Sequence, residues 1–253
     1  MRPHTWFLLS NLVLKDFRIR YRNMSLGILW SLVNPLVMMG VLTFIFTQVF
    51  TSAQRHPYPV FVLCGLVPFN FYSISFANGT TSIVENFTLI KRVQFPREVV
   101  PLASVLSNAM HFLAQAMLLL AFAVLFGYPP NRFWLLLPVI WLLEMAFILG
   151  LVLASSALDV YLRDVRYLVE SSNVVMFWLV PIFYSFGTIP PRYAVVYEFN
   201  PLAAVVFATR DILLEGRAPA NSLMINLAGV SVLVLTAGFL IFRRLKRRFA
   251  DYL

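Results

Sequence analysis

The sequence predicts an all-α integral membrane protein: six transmembrane helices, an N-terminal amphipathic helix in the interface, and short outer re-entrant helices between spans 5 and 6. Three observations predict it. Of 253 residues 60% are hydrophobic and only 12% charged, at a mean hydropathy of +0.80, which is more apolar side chain than a soluble core can hide. Residues 23–54, 56–84, 99–131, 171–191 and 218–242 hold no Asp, Glu, Lys or Arg, and 133–158 holds only Glu144. Each stretch can cross a bilayer core of about 30 Å, which takes roughly 20 helical residues. The third observation is charge placement: 15 Lys and Arg residues fall on the side of the chain ends and 5 (Arg55, Arg132, Arg192, Arg210, Arg217) on the other. The positive-inside rule then puts both termini in the cytoplasm, and the net charge of +9 reads as membrane orientation rather than as a nucleic-acid surface.

The first element is an interfacial helix over residues 4–24. At 100° per residue, Trp6, Leu9, Val13, Phe17, Tyr21 and Met24 share one face, with Lys15, Arg18 and Arg22 opposite, the pattern of a helix lying in a bilayer surface. Arg20 falls at the edge of the apolar face, one turn after Asp16. Ser10 and Asn11 interrupt the apolar part and a basic cluster follows it, which argues against a cleaved signal peptide.

Span 1, residues 27–50, carries Asn34-Pro35 and is expected to kink there. Span 2, 60–84, ends in the polar tract Asn78 to Ser82, which should face protein or water rather than lipid. The cytoplasmic segment 85–98 mixes charge with Phe87, Leu89, Ile90 and Phe95, as a short surface helix ending before Pro96 and serving as a docking element would. In span 3, 101–126, Asn108, His111 and Gln115 recur at helical spacing and should pack on another helix or a polar pore.

Span 4, 133–158, has Glu144 near its centre, where an ionised carboxylate costs about 3 kcal/mol on insertion scales; it must be paired, neutral or facing water. Asp159 and Arg163 stand at i, i+4 in the turn that follows. Span 5, 170–187, is short and breakable at Pro181. The outer region 188–216 should hold short helices dipping into the leaflet, one of them over about 201–214 with Asn200 as cap, Pro201 in the first turn and Gly216 at the stop. Span 6, 221–242, runs into the basic tail RRLKRRFADYL.

No chemistry of its own is legible. The chain has no P-loop, no Gly-x-Ser-x-Gly elbow and no paired metal motif, and its only thiol is Cys64, which excludes a disulfide framework. No catalytic and no metal-ligating residue is assigned, and transport is the better class, with energy drawn from a partner or a gradient.

The block from Leu14 to Leu36, LKDFRIRYRNMSLGILWSLVNPL, resembles the signature of the membrane subunits of polysaccharide-export ABC transporters, those of O-antigen, capsule and teichoic acid. Phe95-Pro96-Arg97-Glu98, Asn200-Pro201-Leu202 and the basic tail extend the resemblance over nearly the whole chain. It implies a homodimer in the bacterial cytoplasmic membrane that binds two copies of a separate cytoplasmic ABC ATPase, with ATP and magnesium held by that partner and no cofactor or nucleic acid on this chain. The cargo would be a lipid-linked glycan. Residues Glu85, Phe87, Lys91, Arg92, Phe95, Pro96, Arg97 and Glu98 would couple to the ATPase, and Lys15, Arg18, Arg20, Tyr21 and Arg22 would border the cytoplasmic entrance. Trp30, Phe44, Phe177, Trp178 and Tyr184 would line the path, and Asn200, Pro201, Arg210 and Asp211 the periplasmic gate. A drug or small-lipid ABC permease shares this topology, and a proton-coupled carrier or membrane enzyme would depend on Glu144 instead.

Overall fold

The computed structural model describes residues 3–21, 27–49, 56–93, 95–185, 187, 190–193, 197 and 199–249. Among them the helices are α1 (Pro3–Tyr21), α2 (Trp30–Phe44), α3 (Tyr58–Glu85), α4 (Phe87–Arg92), α5 (Val99–Leu125), α6 (Leu137–Asp159), α7 (Val165–Leu179), α8 (Pro201–Leu213) and α9 (Asn221–Leu245). Turns of 3-10 helix precede α2 and α6 and follow α9, and a π-helical turn, Ile45–Val49, extends α2.

Among the described residues five stretches are long and apolar enough to cross a membrane: Trp30–Val49, Tyr58–Glu85, Val99–Leu125, Arg132–Asp159 and Asn221–Arg248. The expected fifth span differs. α7 stops at Leu179, where Val180 turns extended and Pro181 follows, so 15 helical residues are continued by the non-helical segment Val180 to Ser185. Proline cannot donate to the preceding turn and pushes the residue before it out of the α region, which is what Val180 does. Pro35, by contrast, sits buried inside an unbroken α2.

α3 is the central column. It packs on α2, α5, α6, α7 and α8, and Val60, Val62, Leu63, Cys64 and Val67 along it are wholly buried. α5 runs antiparallel to it, with Phe71 stacked on Phe112 at 4.6 Å and Asn78 meeting Asn108 four residues earlier on α5. α6 runs parallel, with Tyr72 opposite Phe147 and the Thr80 and Ser155 hydroxyls bonded at 2.7 Å. α9 lies along α6 at backbone contact: a Cβ on Gly238 would stand 1.9 Å from the Gly150 carbonyl oxygen. Small residues let two membrane helices approach this closely, so dispersion does the work that water-driven burial does elsewhere. Gly65 does the same for the broken segment, since its Cβ would lie 2.8 Å from the Ile182 Cα.

A second apolar cluster closes the end of the bundle where α4 and the Lys246–Arg248 turn lie, here called the basic end. Leu9 and Leu12 of α1 join Val99, Val100 and Ala103 of α5 there, while Phe17 reaches His111 three turns further along α5. α1 is thus packed along α5 on its Leu9 and Leu12 face, and Trp6 and Phe7 point away from the protein. The apolar face expected from periodicity is divided between protein and surroundings, because both are apolar to a helix at a membrane.

Candidate functional site

Three regions collect the residues singled out by sequence. At the basic end, α4 lays Leu89 and Ile90 on the second cluster and is continued by Phe95 on the same surface. That leaves Glu85, Thr88, Lys91, Arg92, Val93 and Pro96 exposed, with the Lys91 ammonium 4.1 Å above the half-buried Phe87 ring. Arg97 and Glu98 are engaged inward. The Arg97 guanidinium donates to the Lys246 carbonyl at 3.0 Å and lies over the Phe249 ring, and Lys246 pairs with Glu98. Phe249 is fully buried against Phe242 and Tyr161, whose hydroxyl donates to the Leu245 carbonyl at 2.7 Å. The basic tail is therefore clamped under the segment that joins α4 to α5. Sequence analysis missed this, since Phe249 follows directly on a basic run, Arg243 to Arg248, that reads as solvated charge.

On the lateral surface, α2 exposes Trp30, Val37, Val41 and Phe44, and α7 exposes Leu168, Val174, Val175, Trp178 and Leu179. Both sets recur at three- and four-residue spacing, so each helix carries one apolar stripe that the described residues leave uncovered. Of the path candidates, Trp30, Phe44 and Trp178 stand on these stripes. Phe177 turns inward onto Phe69 and Phe183. Tyr184 closes the break in α7: its hydroxyl lies 2.9 Å from the Leu179 carbonyl and 3.1 Å from that of Trp178, both left open where the helix stops, and 3.0 Å from the Tyr197 hydroxyl.

At the opposite end, the Asn200 side chain accepts from the Leu202 and Ala203 amides and caps α8, with Pro201 in its first turn. Arg210 is buried. Its guanidinium donates to the carbonyls of Ile182 (2.7 Å), Phe61 (3.3 Å) and Tyr184 (3.3 Å) and sits 3.5 Å from the Phe61 ring centroid. Burial lowers the guanidinium to about 10, which leaves it a cation at neutral pH. Asp211 pairs with Arg217 at 2.6 Å. Two further ties were not foreseen: His56 bridges Tyr128 and Glu215, each at 2.9 Å, and the Asn131 amide donates to the Ile212 carbonyl at 3.0 Å.

The remaining candidates are placed as follows. Lys15 of α1 donates to the Asn86 side chain at 2.7 Å and pairs with Asp16, and Arg18 is exposed. The side chains of Arg20 and Tyr21, and Arg22 altogether, lie outside the described residues. Asn108, His111 and Gln115 are buried on one face of α5: Asn108 accepts from Asn78, His111 stacks on Phe17, and Gln115 donates to the Ser31 carbonyl at 3.0 Å. Glu144 is 1% exposed and neither carboxyl oxygen has a partner among the described residues. Asp159 and Arg163 form no ion pair, because α6 ends at Asp159 and the helical spacing between them is lost. Among the described residues no group of His, Cys, Asp and Glu is arranged to hold a metal.

The bundle thus has a clamped basic end, two uncovered apolar stripes and a stapled opposite end, which suits a membrane subunit that moves cargo with partners rather than one that does chemistry alone. Residues 8–214 match the ABC-2 type transporter family, and the chain belongs to that family as a multi-pass membrane subunit. It is 32% identical over 246 residues to an O-antigen export system permease protein of Klebsiella pneumoniae, covering 94% of this chain and 92% of that one. A protein of the same name from Myxococcus xanthus is 31% identical over 247 residues, covering 96% and 94%. A polysialic acid transport protein of Escherichia coli is 22% identical over 242 residues, covering 92% and 91%.

Proposed function

We propose that the chain is the permease subunit of a polysaccharide exporter of the O-antigen or capsule type, which carries a lipid-linked glycan across the cytoplasmic membrane on ATP hydrolysis by a separate subunit. The observation that carries this reading is similarity to export permeases at 31–32% identity over nearly the whole chain. The uncovered stripes of α2 and α7 supply the assembly. They flank α3, and a second copy laid against them would cover both and set Trp30, Phe44 and Trp178 along a path between copies. Aromatic faces suit a sliding sugar, which they hold by broad apolar contact with little orientational demand.

In this reading α7 with its broken continuation counts as the fifth of six spans, the basic end is cytoplasmic and both termini lie there. The exposed Glu85, Lys91 and Arg92 face two copies of the ATPase, α1 borders the entrance, and α8 with Asn200, Pro201 and Asp211 forms the periplasmic gate, stapled by Arg210. The test is deletion of the gene followed by complementation. Loss of surface polysaccharide, its intracellular build-up on the lipid carrier, and co-purification of the tagged chain with an ATPase are expected. Normal surface glycan in the deletion strain, or transport by the purified chain without an ATPase, would overturn the reading.

A further inference from the structure

A polar track runs along the seam of α3 and α5, and neither the stripes nor the tail clamp uses it. It begins at the basic end as an open cleft of about 400 Å³ lined by Lys15 of α1, Asn78 of α3, Asn86 just past its end, and Ser104, Ser107 and Asn108 of α5. At 1.5 Å per residue, Asn78 lies about 10 Å along α3 from Glu85, and Asn108 about 13 Å along α5 from Val99. Deeper still, Asn70, His111 and Gln115 continue the track, but only about 10 Å³ is open there. Phe17 of α1, stacked on His111 at 5.2 Å and 11° between planes, stands at the junction. α1 thus lies along the cleft, held at Asn86 by Lys15 and at His111 by Phe17.

The cleft has unused capacity. Ser104 and Ser107 are more than nine-tenths buried and line it, and their hydroxyls have no partner among the described residues. Asn108 is 3% exposed, and its only bond there is a long one, 3.4 Å, accepted from Asn78. The cleft is open at the basic end, so a ligand with matching donors and acceptors can replace water on these groups. The charged groups are Lys15, Asp16 and Glu85, one cation against two anions, so the cleft does not favour a diphosphate, which calls for clustered Arg and Lys. Hydroxyls and carboxamides that both donate and accept match the vicinal hydroxyls of a sugar ring, and the volume falls in the range of about 300–1,000 Å³ typical of small-ligand sites.

We propose that this cleft is a sugar-binding site within each copy, separate from the path between copies. It docks a short stretch of the glycan through its ring hydroxyls. The proposal rests on the exporter reading above and adds a residue-level site to it.

The test uses the full-length protein with its ATPase in lipid nanodiscs. The probe is the host's own glycan, released from its carrier by mild acid; total binding is read by calorimetry, and binding in the cleft by protection of a cysteine placed there. Ser107→Cys is labelled with a water-soluble maleimide; the native Cys64 is wholly buried and stays silent. Glycan at ten times its Kd is expected to slow labelling about tenfold, and Asn108→Leu to raise the glycan Kd about tenfold. Unchanged labelling and an unchanged Kd, with glycan binding intact in the unsubstituted protein, would overturn the cleft and leave the exporter reading standing. Equal protection by polyprenyl diphosphate without sugar, or by phosphatidylethanolamine nanodiscs alone, would overturn it in favour of a headgroup site. Absence of carrier-free glycan binding in the unsubstituted complex would overturn the cleft site and leave the exporter reading, which concerns the lipid-linked form, standing. Should Ser107→Cys fail to fold, Ser104→Cys repeats the protection measurement on the neighbouring turn.

Discussion

The Arg210 guanidinium donates to the Ile182 carbonyl at 2.7 Å, just where the chain leaves α7 and has no helix of its own to satisfy that oxygen. A main-chain break inside a membrane is tolerated only where protein takes up the freed groups. Arg210 does so for Ile182, Phe61 and Tyr184 together, and it can because a guanidinium presents five donors in a fixed fork.

Removing that fork is therefore expected to be severe. Arg210→Leu leaves three carbonyls with fewer donors and should cost a few kcal/mol, at roughly 1.5–3 kcal/mol per bond to a charged group. Arg210→Lys should fall between, having three donors on one nitrogen. Thermal unfolding of the detergent-solubilised protein checks the order, unsubstituted above Lys above Leu.

The tail clamp makes Glu98 and Lys246 members of one unit. Glu98→Ala and Lys246→Ala are each expected to weaken export, and the double substitution to cost less than the two added, since both remove the same ion pair. Phe249→Ala empties a fully buried ring position and should destabilise by about 3–5 kcal/mol, read as a lower unfolding temperature. Additive effects on export would mean that the two residues act separately.

Glu144 discriminates the exporter from a proton-coupled carrier. Its carboxyl meets no donor among the described residues, so the neutral amide of Glu144→Gln should be accommodated with export within about twofold of normal at pH 6 and pH 8. Glu144→Lys places a cation in the same site and should abolish insertion or folding. Loss of transport in the Gln variant with normal protein levels would favour proton coupling.

The α6–α9 crossing sets a size limit. Gly238→Leu must separate helices that touch at their backbones, and more than about 3 kcal/mol is expected from overpacking. Fluorescence-detected gel filtration should show aggregated protein, whereas Gly229→Leu, with open space around its Cβ, should run as the unsubstituted chain.

The stripes test the assembly. Trp178→Glu puts a charge on an exposed apolar face that the proposed second copy would cover, and should shift the complex from dimer toward monomer in native mass measurement. An unchanged dimer would move the interface elsewhere.

Much of this was open to reading from residues alone. Charge-free stretches of bilayer length, Asn200-Pro201 ahead of α8 and the Asn108, His111, Gln115 face are local facts, fixed by helix rise, capping chemistry and three-four spacing. They depend on neighbours in sequence, and sequence supplies neighbours. What tertiary structure decided were bonds between distant residues: Arg210 to Phe61 across 149 positions, Arg97 to Lys246 across another 149, Lys15 to Asn86 across 71. Sequence marks such side chains as charged at a membrane boundary, where a solvated charge, a partner contact and a buried staple look alike. Pro181 marks the break after α7 in the sequence, but only packing brings Arg210 to the carbonyls that break opens and folds the tail beneath α5, because each follows from which backbone groups the surrounding helices leave unsatisfied.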